Sequence, residues 1–242
     1  MTVGKKFAVF DIDGTLVRWQ LYHAVADALA KEGYIDSTSY GIIRDARMKW
    51  KQRSHPESFK EYEKQLIKSY ESILRVLTPE QFDQAANAVF KEYKDQVYTF
   101  TRGLIKTLKE RKYLLFAISG SQVEVVEKIA KYYGFDDCVG TVYAREKDKF
   151  TGERIVGSTD KATILSGLIK KHSAISKDSV AVGDSASDVS MMEMVQMPIA
   201  FNPDKALFML AKQRGWSIVL ERKNMVYELE KRNGQYVLVK TS

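Results

Sequence analysis

The chain has 242 residues, 45% of them hydrophobic and 29% charged, with a formal net charge of +7. That length allows one large α/β domain or a core carrying a smaller insert, and the balance excludes a disordered or fibrous chain. The basic excess is scattered among acids, as in Lys60-Glu61 and Lys109-Glu110-Arg111, which implies a solvated surface and some attraction for anionic metabolites rather than a nucleic-acid face.

The first predicted element is the apolar run Phe7-Ala8-Val9-Phe10, a strand ending at Asp11. Asp11 and Asp13 follow too early for a signal-peptide core, and no apolar run approaches the roughly 20 residues that cross a bilayer, so a cytoplasmic protein without a membrane partner is expected. From about Leu16 to Phe100 no strand is convincing, and helical patterns follow one another: Tyr22 to Glu32, Ser39 to Gln52, Glu57 to Leu77, and Thr78 onward. Thr78-Pro79-Glu80-Gln81 supplies a cap, a first-turn proline and a box residue in order.

Strands then return. Tyr113 to Ile118 runs into Ser119-Gly120-Ser121, where Ser121 and Glu124 read as the capping box of a helix that Gly134 stops. Asp137 to Tyr143 is the next strand; its Cys138, the one cysteine, reads as a small core residue in a reducing compartment. Ser158 or Thr159 caps a helix that contains Lys161 and runs to about Lys171. Ser179 to Val182 ends at Gly183-Asp184, Ile199 to Phe201 ends at Asn202-Pro203, which opens a helix closed by Gly215, and Trp216 to Leu220 follows. Tyr227 to Val239 holds an Asn233-Gly234 turn between possible short strands, with no function assigned. Continuous apolar strands alternating with helices predict an α/β fold, a Rossmann-like doubly wound parallel sheet interrupted after its first strand by an all-α insert. The expected division is a core of 1–16 and 100–242 with a helical insert over 17–99, beside the strand ends where such sheets bind ligands.

Three strands end in polar turns: Asp11-Ile12-Asp13-Gly14-Thr15, Ser119-Gly120-Ser121, and Gly183-Asp184-Ser185-Ala186-Ser187-Asp188. Acids gathered at one sheet edge repel one another unless a divalent cation sits among them, with Lys161 as a nearby positive charge. Asp11 and Asp13, two apart in an extended segment, project to one side, so one carboxylate is free to attack while the other moves a proton. Gly14 lets the backbone turn and offers amides to phosphate oxygens. His23, His55 and His172 show no nucleophile or metal spacing and read as structural.

Asp11-Ile12-Asp13-Gly14-Thr15-Leu16 resembles the first motif of the haloacid dehalogenase superfamily, and Ser119, Lys161, and Asp184 with Asp188 fall where its second, third and fourth motifs are expected. A helical cap directly after the first motif resembles the phosphoserine-phosphatase-like branch. The resemblance implies a phosphoric monoester hydrolase in which Asp11 becomes an aspartyl-phosphate and Asp13 is general acid and base. It implies Mg²⁺ held by the Asp11 carboxylate, the Asp13 backbone carbonyl and Asp184. Ser119 and the Gly120 amide would bind the transferring phosphate, with Lys161 neutralising it; Ser121 or Lys149 are the neighbours that could serve instead. Asp188 would hold a metal-bound water or orient Lys161. Asp13 in place of the threonine of the superfamily's pumps favours rapid hydrolysis. A phosphomutase or phosphotransferase shares that residue, and a non-enzymatic anion- or RNA-binding module is the remote alternative.

The partner expected is a small phosphorylated metabolite, and the protein a monomer or homodimer. Gln20 stands where phosphoserine phosphatases usually carry a Glu for the substrate's ammonium, and losing such a charge-assisted contact costs about 1.5–3 kcal/mol. Ser187 replaces the Asn common in their fourth motif. Gln20 and Arg47 are the candidates for the substrate; Arg44, Arg47 and Trp50, spaced at helical intervals, could face the site, the alternative being that Arg44 and Arg47 form a surface stripe and Trp50 is cap core.

Overall fold

In the computed structural model, which describes residues 4–53, 55 and 57–242, the first apolar run becomes strand β1 (Lys6–Phe10), its last four residues buried. Four helices follow: α1 (Leu21–Lys31), α2 (Ser37–Lys51), α3 (Ser58–Leu74) and α4 (Pro79–Tyr93). Thr78 and Gln81 close a reciprocal capping box at the start of α4, each side chain bonding the other's amide. Then come α5 (Thr99–Glu110), β2 (Leu114–Gln122), α6 (Val123–Tyr133), β3 (Asp137–Glu146), β4 (Lys149–Ile155), α7 (Lys161–His172) and β5 (Ile175–Gly183). A short 3-10 turn, Ala186–Asp188, leads into α8 (Val189–Met192), followed by β6 (Met197–Phe201), α9 (Lys205–Arg214) and β7 (Ser217–Arg222). The Asn233-Gly234 turn joins β8 (Met225–Arg232) to β9 (Gln235–Thr241).

The strands are ordered β4-β3-β2-β1-β5-β6-β7-β8-β9. All pairings from β3 across to β7 are parallel, and the outer ones are antiparallel. The chain moves outward from β1 first through β2 and later through β5, so the strand order reverses at β1, the kind of place at whose carboxyl end open α/β sheets bind ligands.

The chain forms two compact units. The first holds the chain up to Gln20, Glu92–Thr141 and Val156–Ser242. Its core joins Phe7, Val9, Phe116, Ile118, Leu165, Ala181 and Met191, with the Phe7 and Phe116 rings stacked at 5.8 Å. The second unit holds Leu21–Lys91 together with Val142–Ile155, so the hairpin of late β3 and β4 lies with the helices. Phe150 on that hairpin meets Phe82 of α4 edge-on at 5.6 Å, Arg145 forks onto Asp83, and Arg154 pairs with Glu71 of α3.

Three expected helix starts differ in the residue that makes them. The capping box read at Ser121 and Glu124 does not form: β2 continues through Ser121, and α6 begins after Gln122 with no side-chain cap bond. Asp160, rather than Ser158 or Thr159, caps α7 by accepting from Thr163 N at 3.0 Å. Asp204 caps α9 through Leu207 N, one residue beyond the Asn202-Pro203 start. Aspartate wins both sites because its carboxylate is charged and faces the positive end of the helix. Gly134 and Gly215 end their helices in left-handed conformation, as read. Among the described residues no helix is long and apolar enough to cross a membrane.

Candidate active site

Asp11 is the first residue beyond β1, and its amide donates to Val182 O of the neighbouring strand β5. This ladder bond fixes the carboxylate at the sheet's carboxyl edge, where it is buried. The next residues double back, with the amides of Leu16 and Val17 both donating to Ile12 O. Gly14 sits in this turn at φ 80°, and a Cβ there would lie 2.2 Å from Asp184 Oδ2, so only glycine admits the approach of the β5 loop.

The carboxylates of Asp11, Asp184 and Asp188 each offer an oxygen within 4.8 Å of the other two. Lys161, at the first position of α7 and 1% exposed, sends its ammonium to two of them. It donates to Asp11 Oδ1 at 2.8 Å, Asp188 Oδ1 at 2.6 Å and Ile118 O at 2.9 Å, three acceptors for its three N–H groups. Asp188 is satisfied on its other side as well, where Oδ2 accepts from the amides of Asp184 and Ser185 at 3.0 Å each. One ammonium thus serves two of three clustered carboxylates, and Asp184 is the third.

Burial pushes the Asp11 carboxyl up to about 7 against the pull of Lys161, with Asp188 and Asp13 adding like charge. Burial, then Asp11 and Asp188, raise Asp184 well above the ordinary carboxylate range. Burial opposes the charge on Lys161, but Asp11 and Asp188 outweigh it and the ammonium is held above its usual range. The excess of desolvated negative charge and the all-oxygen donor set fit a hard divalent cation such as Mg²⁺.

Asp13 faces the end of β2. Ser119 donates to its Oδ2 at 2.6 Å and Ser121 to its Oδ1 at 2.9 Å, both hydroxyls being buried. Ser121 is the residue the sequence reading assigned to a helix cap. The signal that finds it is the period of two that aligns Asp11 with Asp13, since it also aligns Ser119 with Ser121 along a strand. Gly120 stands between them, its carbonyl accepting from Thr141 Oγ1 and its Cα facing Ser158.

The remaining candidates lie apart from this cluster in the hydrogen-bond pattern. Gln20 is half-buried at the end of the first unit. Arg47 belongs to the second, where its guanidinium is taken up by Asp27 at 2.8 and 2.6 Å and by the Tyr62 hydroxyl at 2.9 Å. Arg44 is exposed, and Trp50 is half-buried and stacks on Tyr62. His23 is buried and driven down to about 3 by desolvation and then by Arg47, and His172 bonds Asp137, so both have structural settings. Lys149 opens β4 and lies in the second unit. Cys138 is half-buried, its thiol pushed up to about 11 chiefly by burial.

Comparison with known proteins places these residues in a wider context. The model of the haloacid dehalogenase-like hydrolases matches residues 8–193. The phosphoserine phosphatase of Methanocaldococcus jannaschii is 29% identical over 203 residues, covering 81% of this chain and 85% of its own. That of Archaeoglobus fulgidus is 28% identical over 207 residues, 84% of this chain, but the chain spans only 54% of that relative's length. Among solved structures, a substrate-bound phosphoserine phosphatase superposes with a TM-score of 0.61 at 25% identity, covering 86% of this chain and 91% of its own.

Proposed function

The chain belongs to the haloacid dehalogenase-like hydrolase family, and from that premise we propose that it is a Mg²⁺-dependent phosphatase of a small phosphomonoester. The observation that carries this reading is the meeting of the Asp11, Asp184 and Asp188 carboxylates, with the buried ammonium of Lys161 bonded to Asp11 and Asp188 and not to Asp184.

Asp11 is the nucleophile. Lys161 holds its Oδ1, which fixes the carboxylate and leaves Oδ2 to approach phosphorus. The P–O bond to the alcohol breaks as the Asp11–phosphorus bond forms, and Asp13 gives its proton to the departing oxygen. Asp13, now a carboxylate, takes a proton from water, which attacks the aspartyl-phosphate and releases inorganic phosphate. Ser119 and the Gly120 amide hold the phosphoryl oxygens, and Lys161 neutralises them together with Asp11. Asp188 holds Lys161 in place, its carboxylate being committed to that ammonium and to two loop amides.

The residues to hold the cation are Asp11, Asp184 and the Asp13 backbone carbonyl. A bound Mg²⁺ supplies positive charge that lets an anionic nucleophile meet an anionic ester. The division into a core of 1–16 and 100–242 and a helical cap of 17–99 is part of the same reading, with the hairpin Val142–Ile155 joining the helices. The relatives' names suggest phosphoserine as a substrate, whereas neutral Gln20 argues for an ester without an ammonium at that place. A panel of phosphorylated metabolites decides between them.

The direct test is hydrolysis of para-nitrophenyl phosphate. Turnover that requires Mg²⁺, stops with EDTA and is lost in Asp11→Asn is expected, while metal-independent turnover contradicts the proposal.

A further inference from the structure

Ser121 has no role in the mechanism above, yet its position is specific. It is 3% exposed, at the end of β2, and donates to Asp13 Oδ1 at 2.9 Å. Ser119 donates to the other oxygen of the same carboxylate at 2.6 Å. The Ser121 amide also donates to Ser119 Oγ at 2.9 Å. One residue therefore holds Asp13 through its side chain and orients the second hydroxyl through its backbone. Capping, the other common use of serine before a helix, is taken by the position of Gln122, which has no side-chain cap bond.

Ser119 cannot serve Asp13 throughout a turnover in which it also holds phosphate, because a hydroxyl has one proton to donate. When it turns to a phosphoryl oxygen, Oδ2 of Asp13 is released toward the leaving group. Oδ1 stays bound. Resting on the phosphatase reading, we infer that Ser121 is a positioning residue for the general acid: it fixes the plane of the Asp13 carboxyl so that Oδ2 presents its proton to the leaving oxygen. In that step the P–O bond breaks toward oxygen, the freed electron pair takes the proton from Oδ2, and Asp13 is left as carboxylate with Ser121 still donating to Oδ1.

A general acid matters in proportion to how badly the leaving group needs a proton, and this separates positioning from structural support. The experiment measures kcat/KM of the full-length protein with Mg²⁺ on phenyl phosphate, whose phenoxide leaves poorly, and on dinitrophenyl phosphate, whose phenolate leaves unaided. Ser121→Ala is expected to lose ~10–100-fold on phenyl phosphate and less than ~3-fold on dinitrophenyl phosphate. Retained dinitrophenyl activity also reports that the variant is folded, and Ser121→Thr, which keeps the hydroxyl, is expected to recover phenyl phosphate turnover. Equal losses on both esters, or none on either, overturn the assignment of Ser121. Failure of the unsubstituted protein on both esters overturns the phosphatase reading first, and the two failures are told apart by that control.

Discussion

At the residue scale the site is an excess of buried acid balanced in part by one lysine, and this gives it a defined response to pH and metal. The Asp11 carboxyl has an ordinary value of 3.8 and is pushed to about 7 in the folded protein, first by burial. Between those values the unfolded chain is ionised while the folded one keeps its proton, so this group's contribution to stability is full below the lower value and is lost as pH rises through the upper one. A cation binds the ionised form and competes with that proton. Apparent Mg²⁺ affinity is therefore expected to weaken by at least ~10-fold per pH unit below about 7, read as a smaller rise in Tm on adding Mg²⁺ at about pH 5 than at about pH 8. Asp184→Asn is expected to abolish the rise at both. A Tm gain independent of pH, or one that survives Asp184→Asn, contradicts the cation site.

Asp11, Asp13, Asp184 and Asp188 were legible in the sequence because each follows an apolar strand within a few residues, where local spacing alone sets direction. Ser121 was legible only as a helix cap or a stand-in for Ser119, because Ser-x-x-Glu before an apolar run is also a capping signal, and the choice between cap and strand end depends on where β2 stops. Arg47 was read as facing a ligand because helical spacing shows which face a residue occupies but not which acid sits opposite. Asp27 on α1 and Tyr62 on α3 are brought to it only by folding.

At the element scale the helices and the parallel strands were readable, since amphipathic helices and buried strands carry strong periodic signals. The hairpin partner β4 was not. Its sequence Lys-Phe-Thr-Gly-Glu-Arg-Ile has one buried residue, Phe150, and the rest is exposed, so neither a run nor an alternation marks it. The hairpin is held in the helical unit by Phe150 against Phe82, by buried Tyr143 against Tyr70 and the Tyr22 hydroxyl, and by two arginine–carboxylate pairs. Exposed pairs of this kind contribute about 0–1 kcal/mol each, so the aromatic contacts carry the hairpin, Phe150 being the one that β4 itself supplies. Phe150→Ala is expected to lower the unfolding free energy of the whole chain by ~3 kcal/mol in urea titration. A loss under ~1 kcal/mol means that the hairpin is held by something other than its phenylalanine.

At the scale of the whole molecule, the alternation of strands and helices announced a doubly wound sheet, but no local signal announced that β1 would lie between β2 and β5. That placement comes from crossover connections keeping one hand, and it is what brings three chain segments far apart in sequence to one crevice. The C-terminal strands β8 and β9 extend the same sheet away from the crevice as antiparallel additions. In the proposed mechanism this convergence makes Asp11 a covalent nucleophile and Asp13 the residue that clears it. Asp13→Asn retains the nucleophile and removes the base, and dinitrophenyl phosphate needs no acid to leave. Mixing the two with Mg²⁺ is expected to release one equivalent of dinitrophenolate in a burst, with a phosphoryl group on the peptide containing Asp11 by mass spectrometry. The contradicting result is hydrolysis by the unsubstituted protein while Asp13→Asn gives neither a burst nor a phosphorylated Asp11.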